Sequence, residues 1–247
     1  MQPLLSIVVN AYRAQPALDC QLALWRSYPD AIRQAVEWVV VDDGSDPALL
    51  ITDVAPVADQ PLVNTLANPL AITLAITLAR IQQDIAWNMP GARNLGALLA
   101  RGRWLLFHDV DHFLPAASLQ RLLQNRSALD AGTLYRFARI EDGVAINPHI
   151  NSFLCSRDAF WRAGGYDEDF AGHYGHEDAC LLSAWQSRVG GLLLLNNVWL
   201  EVNPRLATTG LDRDTTRNSA LLRQKAAAGH PVARSRLRFD WQLQPAV

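Results

Sequence analysis

The chain has 247 residues, of which 50% are hydrophobic, and its 24 acidic residues nearly balance 22 basic ones. A chain of this length can bury a substantial core, either as one large domain or as two small ones. The near-neutral charge excludes the strongly basic surface that is typical of nucleic-acid-binding proteins, so we expect no nucleic-acid partner.

Cysteine usage and the N-terminus favour a cytoplasmic protein. The three cysteines, Cys20, Cys155 and Cys180, are odd in number and lack metal-ligand spacing. We therefore predict neither a disulfide framework nor a zinc site. The N-terminus has no basic leader, and its apolar run is too short to span a bilayer.

The first elements predict a β-α-β unit. Residues 4–10 (LLSIVVN) and 38–45 (WVVVDDGS) contain continuous apolar runs, which are typical of strands buried on both faces of a parallel sheet. Between these two runs, apolar residues recur at helical spacing, which predicts a helix. Such a unit predicts a ligand crevice at the carboxyl ends of the strands, where Asn10, Asp42 and Asp43 lie.

The next segments predict a strand and a helix. Residues 70–81 repeat Ala-Ile-Thr-Leu, and their Ile and Thr content favours a strand, with a helix as the alternative. Residues 89–102 predict a helix that buries Leu95, Leu98 and Leu99.

Two aspartates follow the next apolar run. Residues 104–107 predict a buried strand, and Asp109 and Asp111 lie at its carboxyl end. Two other Asp-any-Asp pairs have different contexts. They are Asp167 with Asp169 in a glycine-rich loop, and Asp212 with Asp214 in a polar stretch.

The second half of the chain continues the alternation of helices and strands. A short helix is predicted between the capping residue Ser156 and Gly164. A longer helix over 177–189 begins with Glu177 and Asp178. Taken alone, these two acids could simply stabilise a helix N-terminus.

Several polar residues are predicted to converge on one edge of the sheet. They are Asn10, Asp42, Asp43, Arg93 and the aspartate pair after 104–107. A carboxylate pair at a strand end suits Mg²⁺ or Mn²⁺, which take oxygen ligands and share coordination with substrate phosphates. The pattern predicts a nucleoside diphosphate site, although Asp42 and Asp43 could also form an ordinary Asx turn.

Six motifs give the sequence a family resemblance. SIVVNAY, VVVDDGS, GARNLG, DVDH, GGYDEDF and YGHED follow one another over about residues 4–190. In this order they resemble family 2 glycosyltransferases with the GT-A fold, and the last two resemble the galactosyltransferase and N-acetylgalactosaminyltransferase branch. The resemblance implies an α/β protein with a Rossmann-like, mixed and mostly parallel sheet flanked by helices.

The resemblance also implies an activity. It is that of a metal-dependent, inverting hexosyltransferase, which moves a sugar from a nucleoside diphosphate donor, with a UDP-sugar favoured, to a hydroxyl of a glycan or lipid-linked acceptor. Mn²⁺ or Mg²⁺ would be the cofactor. No Gln-x-x-Arg-Trp motif is present, so single addition is favoured over processive synthesis.

Roles on the donor side follow from the same resemblance. Asn10 and Asp43 would hold the nucleoside, and Arg93 would lie near the base or the diphosphate. Asp109 would lie near the ribose and Asp111 on the metal ion, with Asp109 as a second candidate ligand.

Roles on the acceptor side are also implied. Asp178 would be the catalytic base, and Glu177 would orient the acceptor hydroxyl. Tyr174 stands where the family has Trp, which would alter stacking on the acceptor sugar. The third metal ligand is open between His112, water and His230. Tyr166, Phe170 and Tyr174 are the aromatic candidates for stacking on a sugar ring.

We predict a single GT-A domain over residues 1–247, because no linker interrupts the chain. It divides into a nucleotide-sugar-binding half at about 1–112, an acceptor and catalytic half at about 113–200, and a C-terminal extension at about 201–247. The extension contains alternating basic and aromatic residues, and it is either a solvated helix and tail or a segment in peripheral contact with the inner membrane face. These residues are Arg223, Lys225, Arg234, Arg236, Arg238, Phe239 and Trp241.

Two other functions stay open at this point. The chain could be a degenerate relative that binds nucleotide or glycan without turnover. It could also be a nucleotidyltransferase, although NAYRAQPA lacks the glycine-rich phosphate loop usual in that class. An NAD-dependent dehydrogenase is disfavoured, because no G-x-G-x-x-G follows the first strand.

Overall fold

One mixed sheet with helices on both faces organises the chain, which the computed structural model describes over residues 3–51, 74–206, 209–229 and 236–244. The strands in these ranges are β1 (Leu5–Ala11), β2 (Val36–Asp42), β3 (Ile76–Ile81), β4 (Trp104–Asp109), β5 (His112–Phe113), β6 (Leu134–Glu141), β7 (Val144–Ile146), β8 (Phe153–Ser156), β9 (Leu192–Val202) and β10 (Trp241–Gln244). The helices are α1 (Gln15–Ser27), α2 (Asp30–Ala35), α3 (Met89–Leu99), α4 (Ala116–Gln124), α5 (Arg157–Ala163), α6 (Glu177–Arg188) and α7 (Thr216–Ala227).

The strand order across the sheet is β10-β3-β2-β1-β4-β8-β6-β9-β5, and β7 pairs with β6. Strand β1 pairs in parallel with β2 and β4, and β2 pairs in parallel with β3, whereas β8 joins β4 in antiparallel orientation. The predicted α/β class with a mixed sheet is confirmed. The strand predicted within 70–81 is β3, and residues 70–73 lie outside the described residues.

Strand β1 is buried on both faces, because helices cover both sides of the sheet. Ile7 and Val9 belong to the same buried cluster as Leu18 of α1. Val8 belongs to the cluster on the other side, together with Ala97 of α3. Side chains alternate along a strand, so a run that is apolar at every position predicts this two-sided burial.

Helix α3 differs from its prediction. It ends at Leu99, and Leu98 is 51% exposed although Leu95 is fully buried. The reason is Gly96, where a Cβ atom would lie 2.3 Å from Cγ1 of Val8. The glycine lets α3 approach β1 closely, so the buried face centres on Gly96 and turns Leu98 towards solvent.

Two helix boundaries agree with the sequence. The hydroxyl of Ser156 accepts a hydrogen bond from the backbone N–H of Ala159 at 3.2 Å, and α5 ends at Gly164 with φ +114°. Helix α6 begins at Glu177, so both predicted acids lie in its first turn. Trp25, Phe107 and Trp185 are buried core residues.

The C-terminal extension contributes an edge strand. Strand β10 pairs in antiparallel orientation with β3. Phe239, just before it, is 9% exposed and packs in a cluster with Ile81 and Leu95. At these residues the extension is therefore folded onto the sheet and is not a solvated tail. None of the described helices has the length and apolar character needed to cross a membrane.

Candidate functional site

The carboxyl ends of β1, β2 and β4 lie side by side. In the parallel register Asn10 is opposite Asp109, and Ala11 is opposite Asp42. Asp43 follows β2 directly. The residues that the sequence places at one sheet edge therefore share that edge.

Asp42 and Asp43 have different environments. Asp42 is fully buried, and its carboxylate accepts hydrogen bonds from the backbone N–H groups of Ser45 at 2.9 Å and Leu49 at 3.1 Å. Asp42 therefore holds the turn, as the Asx-turn alternative predicts. Asp43 Oδ1 accepts a hydrogen bond from Nδ2 of Asn88 at 3.1 Å, and burial raises the pKa of Asp43 to about 7 against the effect of that hydrogen bond. No sequence motif singled out Asn88.

Arg93 lies at the centre of the edge and is fully buried. Its Nε donates to Oδ1 of Asn10 at 3.1 Å, and its Nη2 donates to Oδ1 of Asp109 at 2.8 Å. Its Nη1 donates to the backbone oxygen of Asn151 at 2.6 Å and to the hydroxyl of Tyr166 at 2.7 Å. The guanidinium thus ties β1, β4 and two later loops together.

Both carboxylate oxygens of Asp109 are engaged. Oδ1 accepts from Arg93, and Oδ2 accepts from the side-chain amide of Asn151. Asn151 is 9% exposed and belongs to no recognised motif, so sequence reasoning missed it. These two donors fix the orientation of the Asp109 carboxylate. They therefore also fix the directions of the lone pairs that could bind an ion.

Asp109, Asp111 and His112 form a group that fits a divalent ion. One ligand atom from each lies within 4.8 Å of the others. His112 Nδ1 is 2.9 Å from Oδ1 of Asp111, and its buried Nε2 has no hydrogen-bond partner among the described residues. Burial acts to raise the pKa of Asp111, but the hydrogen bond and charge of His112 outweigh it and lower that pKa. His230 lies outside the described residues.

The two other aspartate pairs have structural contacts, with a lysine in one case and a helix N-terminus in the other. Lys225 Nζ lies 2.6 Å from Oδ2 of Asp167 and 2.7 Å from Oδ2 of Asp169. Asp214 Oδ1 accepts a hydrogen bond from the backbone N–H of Thr216 at 2.9 Å, at the start of α7. The sequence context distinguishes the three pairs as the structure does, because only Asp109 and Asp111 follow a buried strand.

Asp178 and Glu177 lie beside Arg93 at the start of α6. Asp178 Oδ1 accepts a hydrogen bond from the hydroxyl of Tyr166 at 2.7 Å and lies 3.7 Å from Nη1 of Arg93. Burial raises the pKa of Asp178, while Arg93 and Tyr166 oppose that rise. Burial and the charge of Asp178 raise the pKa of Glu177 to about 7. Both carboxyl groups are thus more basic than ordinary exposed ones.

Helix α7 holds the loop that leads to these acids. Nδ2 of the buried Asn218 donates to the backbone oxygens of Phe170 at 3.0 Å, His173 at 2.7 Å and Gly175 at 2.9 Å. Asn218 lies outside the six motifs, and sequence reasoning did not assign it a role.

The C-terminal segment holds the preceding turn of the same loop. Glu168 is 4% exposed and accepts hydrogen bonds from Nδ2 of Asn94 at 2.8 Å and from the backbone N–H of Leu237 at 2.9 Å. Arg238 Nη2 pairs with Oδ1 of Asp169 at 2.5 Å. The acids of GGYDEDF are therefore structural anchors.

One aromatic pair lines the opening of this loop. The ring centroids of Tyr174 and Trp87 are 4.5 Å apart, and Trp87 Nε1 donates to the backbone oxygen of Asp212 at 2.6 Å. Tyr166 and Phe170 are fully buried, so the expectation that they stack on a sugar ring is wrong. Tyr174 is partly exposed and keeps that role as a prediction, with Trp87 as a neighbour that sequence reasoning missed.

Neither a protein-family model nor a curated protein matches the sequence. Solved structures do match its fold. S. aureus TarS 1–349 in complex with UDP-GlcNAc has a TM-score of 0.63 and 12% identity, and the match covers 95% of this chain and 68% of that chain. Mannosyltransferase PcManGT from Pyrobaculum calidifontis, in complex with GDP-Man and Mn²⁺, has a TM-score of 0.58 and 17% identity, with 94% and 65% covered.

A further structure of S. aureus TarS 1–349 has a TM-score of 0.56 and 13% identity, and the match covers 82% of this chain and 60% of that chain. The chain thus spans about three fifths to two thirds of the length of these proteins. At such low identity the likeness concerns the fold. The chain has the glycosyltransferase fold of the GT-A type that the six motifs predict.

Proposed function

We propose that the protein is a metal-dependent, inverting glycosyltransferase that moves a hexose from a UDP-sugar to a hydroxyl of a glycan or lipid-linked acceptor. One observation carries the proposal. Asp109, Asp111 and His112 form a group that fits a divalent ion. The guanidinium of Arg93 contacts both Asp109 of this group and the buried carboxylate of Asp178. The complexes of TarS with UDP-GlcNAc and of PcManGT with GDP-Man and Mn²⁺ support a nucleotide-sugar donor.

On the donor side, Asp43 would recognise the base. Its ionised carboxylate can accept a hydrogen bond from the imide N–H of uracil, and Asn88 holds it in place. Asn10, held by Arg93, lies between Asp43 and Asp109 along the sheet edge. Arg93 therefore acts on the donor through the residues that it orients.

Asp111 and His112 would hold Mn²⁺ or Mg²⁺, with Asp109 as the third ligand or at the ribose. When bound, the ion supplies Lewis-acid stabilisation to the departing diphosphate. Of the candidates that the sequence left open, His112 would supply the nitrogen ligand, since its Nε2 is buried without a partner in the described chain. A pair of carboxylates with one imidazole is compatible with Mn²⁺.

On the acceptor side, Asp178 takes the proton of the attacking hydroxyl. The acceptor oxygen forms a bond to the anomeric carbon while the bond from that carbon to the diphosphate oxygen breaks, and UDP leaves. A single displacement of this kind inverts the anomeric centre. Glu177 would orient the acceptor hydroxyl, and Tyr174 with Trp87 would contact the acceptor sugar ring.

Peripheral membrane contact through the C-terminal segment remains a prediction. Lys225 and Arg238 pair with acids of the same chain, and the guanidinium of Arg236 lies 5.4 Å from the ring centroid of Trp161. The segment therefore offers less free positive charge to anionic lipids than its sequence suggests.

Calorimetric titration with UDP, GDP and CDP, each with Mn²⁺ and again with EDTA, tests the proposed function. We expect UDP to bind with Mn²⁺ and to lose that binding in EDTA. Asp111→Asn should weaken Mn²⁺-dependent UDP binding by about 10- to 100-fold, because it removes a charged ligand of the ion. Asp212→Asn, in an exposed pair of the same spacing, is the matched control and should bind normally. UDP binding that EDTA leaves unchanged would contradict the metal role, and a folded protein that binds no nucleotide would favour a degenerate relative.

The pKa of Asp43 predicts a pH dependence of nucleoside binding. The carboxyl must be ionised to accept a hydrogen bond from uracil, and its pKa of about 7 means that binding is lost as the pH falls through this value. Uridine is the ligand for this test because it has no phosphate and does not itself titrate near pH 7. We expect it to bind about tenfold more weakly at pH 6 than at pH 8. NMR titration measures this affinity. In Asp43→Asn the affinity should become independent of pH, and an unchanged pH dependence in that variant would refute the assignment.

A further inference from the structure

The side chain of Tyr166 is held rigidly at the centre of the site. It is fully buried, and its ring centroid lies 6.4 Å from those of Phe107 and Phe153 and 6.2 Å from that of Phe160. Asn94 holds its backbone on both sides, since Tyr166 N–H donates to Asn94 Oδ1 at 2.8 Å and Asn94 Nδ2 donates to Tyr166 O at 2.9 Å. The position of the Tyr166 hydroxyl is therefore fixed by packing and by the backbone.

The neighbours of this hydroxyl determine the direction of its proton. Arg93 Nη1 lies 2.7 Å away and can only donate, so the hydroxyl accepts from Arg93. Its own proton then goes to Oδ1 of Asp178, also at 2.7 Å. The surrounding aromatic rings would also accommodate a phenylalanine ring at this position. The buried hydroxyl of Tyr166 is tolerated there because it makes both of its hydrogen bonds.

This contact determines which oxygen of Asp178 is free. Within the described residues, the hydrogen bond and the ion pair to the Asp178 carboxylate both reach Oδ1. The carboxylate side chain is 12% exposed. Oδ2 is therefore the oxygen that remains for an acceptor proton, and the rotation of the carboxylate that would exchange the two oxygens breaks the bond to Tyr166.

We propose that Tyr166 is a positioning residue, which fixes the Asp178 carboxylate through its hydroxyl and is itself fixed by Arg93. This inference rests on the proposed function for its effect on catalysis. The same guanidinium donates to Asp109 at 2.8 Å, so one buried bridge sets the distance between the metal-side carboxylate and the base. The base is held in place before an acceptor arrives, and such preorganisation contributes to rate through orientation.

The bridge also favours the ionised form of Asp178. A hydrogen bond donated to a carboxylate stabilises its charge, so loss of the Tyr166 hydroxyl should raise the pKa of Asp178 further. The titratable and charged groups that act on Asp178 are Arg93, Tyr166, Asp109, His149 and Glu177. Tyr166→Phe leaves the other four in place.

Tyr28→Phe provides a matched control. Tyr28 is 2% exposed, and its hydroxyl donates to the backbone oxygen of Leu114 and not to Asp178 or Arg93. Each of the two variants removes one buried hydroxyl and keeps the ring. Thermal unfolding of both proteins measures the purely structural effect of that loss.

The first measurement is UDP release from UDP-GlcNAc and UDP-galactose with Mn²⁺ and with water as the acceptor, followed as a pH profile. We expect Tyr166→Phe to lower kcat by about 10- to 100-fold, with the Kd for UDP unchanged, and to move the acidic limb of the kcat profile to higher pH. Tyr28→Phe should keep both the kcat and the limb of the unaltered protein. Normal kcat with an unmoved limb in Tyr166→Phe would overturn the proposal.

A second measurement does not need turnover. Carboxyl ¹³C NMR titration follows Asp178, whose resonance is identified by its loss in Asp178→Asn. We expect the Asp178 carboxyl to titrate at higher pH in Tyr166→Phe and at an unchanged pH in Tyr28→Phe. An unchanged titration in Tyr166→Phe would overturn the positioning role. Failure of the unaltered protein to bind UDP or to release it would instead refute the proposed function, and the titration would still decide whether Tyr166 acts on Asp178.

Discussion

Asp178→Asn is expected to lower sugar transfer by about 10²- to 10⁴-fold, the usual contribution of a general base. The amide has nearly the same shape as the carboxylate, and its oxygen can still accept the hydrogen bond from Tyr166. It cannot take the proton of the acceptor hydroxyl. The proposed nucleotide site lies on the other side of Arg93, so calorimetric UDP affinity should stay within about twofold while steady-state transfer or UDP release falls.

Asp158→Asn is the control for this substitution. Asp158 occupies the first turn of α5, as Asp178 occupies the first turn of α6. If Asp178 only stabilised a helix N-terminus, the two variants would show similar small changes in stability and none in transfer. Full activity in Asp178→Asn would show that another group takes the proton, and Glu177, with its pKa of about 7, would be the next candidate.

Lys225→Met is expected to lower the free energy of unfolding by about 3 kcal/mol. The ammonium lies between Asp167 and Asp169, and the side chains of Lys225 and Asp167 are only 8% and 6% exposed. Methionine fills a similar volume but leaves the Asp167 carboxylate buried without its cation. The loss should be at the lower end of the range for buried pairs, because Asp169 is 36% exposed and keeps Arg238 as a partner.

Urea denaturation measures this effect, with Arg13→Met as the control. Arg13 pairs with Asp84 at 3.1 Å, and their side chains are 52% and 45% exposed. Removing such a surface pair should cost less than about 1 kcal/mol. Equal losses in Lys225→Met and Arg13→Met would mean that the lysine is not part of a buried ion cluster. Addition of Asp167→Asn to Lys225→Met should recover part of the stability, since it removes the uncompensated charge.

The strands and the sheet edge that holds Asn10 and Asp109 were predictable, because their sequence signals are local. An apolar run such as that of β1 gives a strand buried on both faces, and parallel neighbours bring their carboxyl ends together. The adjacency of Asn10 and Asp109 follows from this register alone. The distinction between the Asp109 pair and the other two pairs also follows, because only this pair succeeds a buried strand.

The partners of these residues were not predictable, because they lie far away in sequence and on loops without periodicity. Arg93 meets the backbone of Asn151 and the hydroxyl of Tyr166 across 58 and 73 positions. Strand β10 has the sequence WQLQ, which carries no apolar run, and it forms because β3 offers an unpaired edge. Leu98 was misplaced for a related reason, since the close approach at Gly96 depends on a strand that belongs to another part of the chain.

Helix α7 and the C-terminal segment hold the loop before Asp178, and this has a consequence for biosynthesis. Lys225 follows Asp169 by 56 positions, and Leu237 follows Glu168 by 69. At typical rates of translation, the cation for Asp169 is added about 3 to 11 s after the acid itself. The sheet edge at the carboxyl ends of β1, β2 and β4 has all its strands well before then. On the ribosome, the nascent protein therefore acquires the proposed nucleotide site first, and the segments that hold the loop before Asp178 last.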